Sequence, residues 1–380
     1  MLNCTISIPK PRLLPNGFIT QEVHGRVMDL LAVDIGAGTQ DILLYREKAP
    51  LENSVKMVMP SPTVIVGKSI EQARISGRDV FLSGPTMGGG ASTRAVRAHL
   101  EAGFRVYATE SAALTIKDDL DQVRAMGVEV VKDGPSDALK IKTGDLNISL
   151  LKQTFELFGV NIPQNLALAV QDHGYSPHKS NRIVRFEQMI KIMKSGGGRL
   201  ESFAYFDPPA IFSRMCSAKN DLKGEGFSPL IMDTGPAALL GATCDPRYKD
   251  PALILNLGNG HTIGAVVVEG KMTALFEHHT RVMTPEKLFN LSNKICEGTL
   301  TNDEVFEDGG HGAYVEDVPG ADMIRSIMVT GPNRERVLSS GILRRLGKEG
   351  KCEVVAAAPG GDMMISGCIG LIEAWKRSVK

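Results

Sequence analysis

Two segments of similar build constrain this chain more than anything else in it. Residues 30–45 read LLAVDIGAGTQDILLY, and residues 253–268 read LILNLGNGHTIGAVVV. Each is an apolar strand, a polar residue, a glycine-rich turn containing Thr, and a second apolar strand, the pattern of a tight β-hairpin. The polar residues Asp34 and Asn256 stand 222 positions apart, about one domain length. A repeat at that spacing predicts a duplicated fold with one hairpin in each lobe.

The rest of the chain fits that frame. At 380 residues it is long enough for two domains of ordinary size. Strands are expected at 30–35, 41–45, 55–59, 80–83, 105–109, 128–131 and 166–171, with helices at 69–76, 92–102, 116–126 and 145–158 between them. The second half restarts with strands at 252–257, 263–268 and 271–276 and ends in a helix. Alternation of this kind is the mark of an α/β protein. Glycine-rich breaks at 196–198 and 224–226 read as loops.

The hairpins carry a definite chemistry. Glycines adopt positive φ and let backbone N–H groups approach an anion, while a hydroxyl adds a donor. A carboxylate at a strand end holds magnesium, usually through water. Asp34, Gly36, Gly38 and Thr39 offer those parts together; Gly258, Asn259, Gly260 and Thr262 offer a second cradle without the carboxylate. Either alone reads more simply as a hairpin turn. The pair, in matching contexts, favours phosphate binding.

Composition removes several function classes. Lys plus Arg and Asp plus Glu both count 43, and no long basic run breaks the balance, which argues against a nucleic-acid partner or an anionic membrane surface. Residues 1–26 lack the basic start and unbroken apolar run of a signal peptide, and Pro9, Pro11 and Pro15 interrupt any helix. The six cysteines, Cys4, Cys216, Cys244, Cys296, Cys352 and Cys368, have no close neighbours. That scatter suits reduced thiols, and the cytoplasm is the expected compartment.

The hairpins resemble the phosphate motifs of the acetate kinase, sugar kinase, Hsp70 and actin superfamily. Residues 34–39, DIGAGT, resemble the first motif; residues 256–262, NLGNGHT, resemble the second in its acetate kinase form. Where that family ends the strand in a histidine and follows the glycines with a small residue, this chain has Asn256 and His261. Residues 230–238, LIMDTGPAA, resemble the connecting segment, and residues 327–335, IMVTGPNRE, the adenosine motif. The resemblance covers about 30–103 and 229–375. As a whole the chain also resembles a family of unknown function labelled as a pyruvate formate-lyase activating enzyme. A radical enzyme of that kind holds an iron–sulfur cluster on three closely spaced cysteines, a pattern not found here.

The resemblance implies a two-lobed, duplicated ribonuclease H-like fold, the actin-like ATPase fold, with mixed sheets and an interlobe nucleotide cleft. Residues 1–250 would form the N-terminal lobe with a family-specific insertion at about 129–227. Residues 251–380 would form the C-terminal lobe, its terminal helix at 362–378 packing back on the first. ATP and Mg2+ are the implied cofactors. Asp34 would organise the metal and, with Asp233, make up the catalytic pair. Gly36, Gly38, Thr39, Gly258, Asn259, Gly260 and Thr262 would cradle phosphates, and Thr330, Gly331 and Asn333 would wall the adenosine.

Asp233 ends an apolar run before the interlobe helix and is the expected general base; as a preferred N-cap residue it also suits a structural role. The glycine-rich run at 83–90 and Arg94 and Arg97 could meet an anion, but a loop and a solvated helix face explain them as well. His173, His178, His278, His279 and His311 lack metal-ligand spacing and read as surface or loop histidines. Residues 304–312, EVFEDGGHG, read as a loop. The expected function is phosphotransfer from ATP to an unidentified small-molecule acceptor. The alternatives are an ATPase switch acting on a partner enzyme and a nucleotide binder without turnover. Dehydratase activases carry a cluster between subunits, which a single cysteine such as Cys216 could supply only in a homodimer.

Overall fold

The structure, a computed structural model, describes residues 28–346 and 352–379. The sequence reading of residues 1–26, Cys4 included, falls outside them. The chain opens with the antiparallel strands β1 (Leu30–Ile35), β2 (Thr39–Tyr45) and β3 (Val55–Pro60). Next come α1 (Pro62–Ile75), β4 (Val80–Ser83), α2 (Gly90–Glu101), β5 (Val106–Ala108), α3 (Glu110–Ala113), α4 (Leu120–Ala125), β6 (Val128–Val130) and β7 (Leu139–Lys142). Then follow α5 (Ile148–Leu157), β8 (Leu166–Val170), α6 (Asn181–Ser195), β9 (Ala204–Tyr205), α7 (Ser213–Gly224), β10 (Leu230–Met232) and α8 (Thr234–Ala242). The second half runs β11 (Ala252–Leu257), β12 (His261–Val268), β13 (Lys271–His279), α9 (Pro285–Cys296), α10 (Asn302–Glu307) and β14 (Gly312–Val315). It finishes with β15 (Ser326–Thr330), α11 (Glu335–Leu338), β16 (Glu353–Ala356) and α12 (Ser366–Ser378).

Two sheets repeat one topology. The first is ordered β3-β2-β1-β8-β10-β9 and the second β14-β13-β12-β11-β15-β16. Both contain three antiparallel strands followed by two parallel to the first of them, β8 and β10 in one sheet, β15 and β16 in the other; β9 is added antiparallel beside β10, and β14 antiparallel beside β13. This is the duplicated, two-lobed ribonuclease H-like arrangement. The central strands have both faces covered, and β1 and β8 are buried along their whole length.

A third, all-parallel sheet, β6-β5-β4-β7, stands between β3 and β8 with its own core. The stretch 129–227, expected to be family-specific, instead contributes β8 and β9 to the first sheet; the extra sheet is built mainly upstream of it.

α8, TGPAALLGA, is buried on every side, as befits a helix in the middle of a core. It packs on α12, and the cluster they share reaches Ala32 and Ala167 of the first sheet and Ile254 and Ala265 of the second. Glycine makes the crossing close. A Cβ on Gly370 would lie 1.9 Å from the Ala237 carbonyl oxygen, and one on Gly241 1.7 Å from that of Ser366. Residues 304–312, read as a loop, contain the end of α10 and the start of β14. Among the described residues no helix is long and apolar enough to cross a membrane.

Candidate functional site

The two hairpin turns are closed by the same hydrogen bonds. The Gly36 N–H donates to the Thr39 carbonyl at 2.9 Å, and the Gly258 N–H to that of His261 at 3.0 Å. The strand beyond each hairpin then ties back to the turn, Ser61 N–H to Gly38 O and Thr280 N–H to Gly260 O, both at 3.0 Å. The tips meet. A Cβ on Gly38 would lie 2.6 Å from Asn259 Nδ2, and one on Gly260 would sit 3.5 Å from the Ala37 Cβ. Asn333 staples its loop to the second hairpin, its N–H donating to Leu257 O at 3.0 Å and its Nδ2 to Gly258 O at 3.1 Å. The touching tips divide the cleft into two chambers that adjoin at Gly36, Thr234, Asn256 and Gly258.

The smaller chamber, about 70 Å³, holds Asp34, Thr39, Asp41, Gly331, Met363 and Met364. Asp34 accepts the Thr234 hydroxyl at 2.6 Å. Burial raises its pKa to about 7 against the pull of that bond, with Asp233 adding to the rise. Asp41, which sequence reasoning missed, pairs with Asp34 across the hairpin. Burial, then Asp34, push it up to about 8, and its Oδ1 is buried with no hydrogen-bond partner. Its signal was present in TQDILLY, where a carboxylate sits inside an otherwise apolar strand. α12 presses close here, since a Cβ on Gly367 would lie 1.9 Å from Asp34 Oδ2. Thr330 is buried and shares a 2.9 Å hydrogen bond with Ser366.

The larger chamber, about 350 Å³, is walled by the first hairpin, residues 86–90 and 114–118, Asp145, Arg214, His173 and His261. Arg94 and Arg97 do not line it; Arg214 of α7 does, held by Asp145 at 2.9 and 2.7 Å and by the Gln171 carbonyl at 2.7 Å. Asp118 accepts the Ser176 N–H at 3.0 Å, and burial raises its pKa.

Several expected roles change. Asp233 does not line the larger chamber. It caps α8 by accepting the Gly235 N–H at 3.1 Å, and its two oxygens receive Arg185 at 2.8 and 3.1 Å. A carboxylate so engaged is not free to take a proton. Arg185, on α6, also donates twice to Glu277 of β13 at 2.6 and 2.8 Å. Burial alone would raise Glu277, but Arg185 and then His311 hold it well below the usual carboxylate range. Thr262 faces the interior and bonds the Thr280 hydroxyl at 3.0 Å, so its hydroxyl is not offered to a phosphate; strand alternation turns it inward.

The histidines also differ from expectation. His173, His261 and His311 converge from the loop after β8, the start of β12 and the residue before β14, with one ring nitrogen of each within 4.8 Å of the others. Burial, then Arg185, hold His173 well below its ordinary value. Burial lowers His261 to about 4 and His311 to about 3, with Glu277 opposing in both. All three are neutral imidazoles near pH 7.

A model of the family described as "Putative pyruvate format-lyase activating enzyme (DUF1786)" matches residues 87–336, more than half of the chain. No curated protein matches. Among solved structures, the chain is similar to the ethanolamine utilization protein EutJ from Carboxydothermus hydrogenoformans. That pair is 11% identical over 91% of this chain and 89% of the other, with a TM-score of 0.31. It is similar to a protein with actin-like ATPase fold and unknown function from Bacteroides thetaiotaomicron at 7% identity, 90% and 95% coverage and a TM-score of 0.36. The Acidaminococcus fermentans (R)-2-hydroxyglutaryl-CoA dehydratase component A matches at 10% identity, 93% and 100% coverage and a TM-score of 0.31.

Proposed function

We propose that this chain, which belongs to the DUF1786 family, binds ATP with magnesium between its two hairpins and directs the terminal phosphoryl group to a small acceptor in the larger chamber. The observation that carries this reading is the pair of opposed turns with identical backbone hydrogen bonding, one beside two buried carboxylates. On this reading residues 1–250 and 251–380 act as the two lobes.

The residues present fit magnesium. Asp34 and Asp41 supply hard oxygen donors, and the partnerless Asp41 Oδ1 is an acceptor that a cation would satisfy. Bound there, the ion would neutralise phosphate charge. The backbone N–H groups of Gly38 and Gly260 would orient the phosphates, those of Gly36 and Gly258 being spent on closing the turns, with Thr39 and Asn259 at the tips. Gly331, Met363 and Met364 give the nucleoside a largely apolar wall, and Asn333 holds that wall to the second hairpin. On the other side Arg214 binds an acidic acceptor group. Asp118 takes the place expected for Asp233, a carboxylate at the chamber wall whose pKa burial raises, the direction that favours a general base.

A second reading, an ATPase switch for a partner enzyme, is favoured by the core that runs unbroken through α8 and α12 from one sheet to the other, a route for closure to reach a distant surface. Phosphate release measured with and without a metabolite panel separates the two. Metabolite-dependent ADP formation supports transfer, and slow intrinsic release supports the switch. Failure to bind ATP, ADP or GTP at millimolar concentration overturns both.

A further inference from the structure

Five of the eight histidines, His173, His261, His278, His279 and His311, gather on one side of the cleft. The ring centroids of His261 and His311 are 4.8 Å apart, and His173 lies 5.7 and 5.8 Å from them. A neutral imidazole has one donor and one acceptor nitrogen, yet the buried His261 Nε2 and His311 Nδ1 have no hydrogen-bond partner. His311 is 2% exposed, so water does not readily make up the deficit.

The surroundings are short of positive charge. Arg185 is the single cation between Asp233 and Glu277, all three are buried, and Glu277 Oε2 lies 4.0 Å from His311 Nδ1. Both carboxylates are hydrogen-bonded to Arg185, but the triad keeps a net charge of −1.

We infer that His173, His261 and His311 form a binding site for a divalent transition ion of the zinc or ferrous type, with a further coordination position open to the larger chamber. Ligand nitrogens about 2.0–2.1 Å from a tetrahedral ion stand about 3.4 Å from one another, so the rings close inward by about 1 Å when the ion binds. Imidazole donors select transition ions over magnesium, which takes oxygen; this site is therefore distinct from the Asp34 and Asp41 pair. Glu277 stays outside the ligand set because Arg185 and Gln171 Nε2 already occupy its oxygens. Its charge, with that of Asp233, offsets the ion's. His173 and His261 line the chamber, which leaves the open position facing an oxygen of water or of a bound ligand.

The test is metal titration of the full chain after chelator treatment, with Co2+ as a visible probe and Zn2+ by calorimetry. One ion per chain is expected, with the d–d absorption of a four- or five-coordinate cobalt centre. His311→Gln and His173→Gln should each weaken binding by at least about 100-fold, the upper range for changing a mere outer-shell partner, while His178→Gln binds as the native chain does. Melting curves of the metal-free variants verify folding, and His173→Gln, at the chamber wall, keeps the test open if His311→Gln unfolds. Absence of stoichiometric Co2+ and Zn2+ uptake by the native chain, or uptake unchanged in a folded His173→Gln, overturns the site. ATP binding in the same samples reports separately on the hairpins.

Discussion

Arg185 and Glu277, 92 residues apart in the chain, are joined by two hydrogen bonds of 2.6 and 2.8 Å. One belongs to a helix of the first half and the other to a strand of the second sheet, so the guanidinium rivets the lobes together beneath the cleft. The same group holds Asp233. Removing one partner of a buried ion pair typically costs about 3–5 kcal/mol, because the other charge is left uncompensated.

Asp233→Asn leaves Arg185 paired with Glu277, so no buried charge is stranded, and it should destabilise the chain by about 2 kcal/mol through the weakened charge-assisted hydrogen bonds to Arg185. Asn caps a helix about as well as Asp, so the loss reports on Arg185 and not on α8. Urea unfolding at pH 7 measures it. An unchanged midpoint would mean that the pair contributes nothing.

Asp34→Asn and Asp41→Asn should each weaken ATP binding in the presence of magnesium by at least about tenfold, roughly 1.4 kcal/mol. Binding in excess chelator should change little, since the phosphate cradle is backbone. Calorimetry under both conditions makes the comparison; an equal loss with and without magnesium would remove the cation from these carboxylates.

Asp245 is buried and receives the Arg247 side chain at 2.9 and 2.7 Å and the N–H groups of Arg247 and Ala358 at 3.0 and 2.9 Å. Burial opposes ionisation, but these bonds prevail and hold its pKa at about 2. A carboxylate depressed on folding stabilises above its unfolded value of 3.8 and loses that contribution as pH falls toward 2. Asp245→Asn should thus cost about 2 kcal/mol at pH 7, with the gap from native shrinking below pH about 4. Urea midpoints at pH 7, 4 and 2.5 follow it; a gap that widens in acid would refute the assignment.

Gly370→Ala should cost more than about 3 kcal/mol, the top of the usual range for overpacking, because its methyl would overlap the Ala237 carbonyl. Gly224→Ala has open space around it and should be neutral or stabilising by about 0.5 kcal/mol. Thermal melts of the two variants side by side decide whether the helix crossing or glycine content as such sets stability.

The hairpins were legible because everything that defines them is local. A strand, a turn and a return strand fit within 16 residues, so LLAVDIGAGTQDILLY predicts β1 to the residue and β2 but for its first two residues. Residues that meet only through the tertiary fold were not. His173, His261 and His311 come from three separate loops or strand starts, and no spacing rule could join them. Arg185 sits in an amphipathic helix where an arginine ordinarily faces water. The same limit explains Asp233. Its place after an apolar strand was read correctly, but the partner that engages it is 48 positions upstream.

The contact between Gly38 and Asn259 gives the cleft the character of a valve. A ligand long enough to reach from Asp34 to His173 must wedge the tips apart, and whatever parts them is felt in both chambers. Binding linkage is reciprocal. If occupancy on the carboxylate side changes affinity on the histidine side by some factor, the reverse holds by the same factor, whatever the two ligands are.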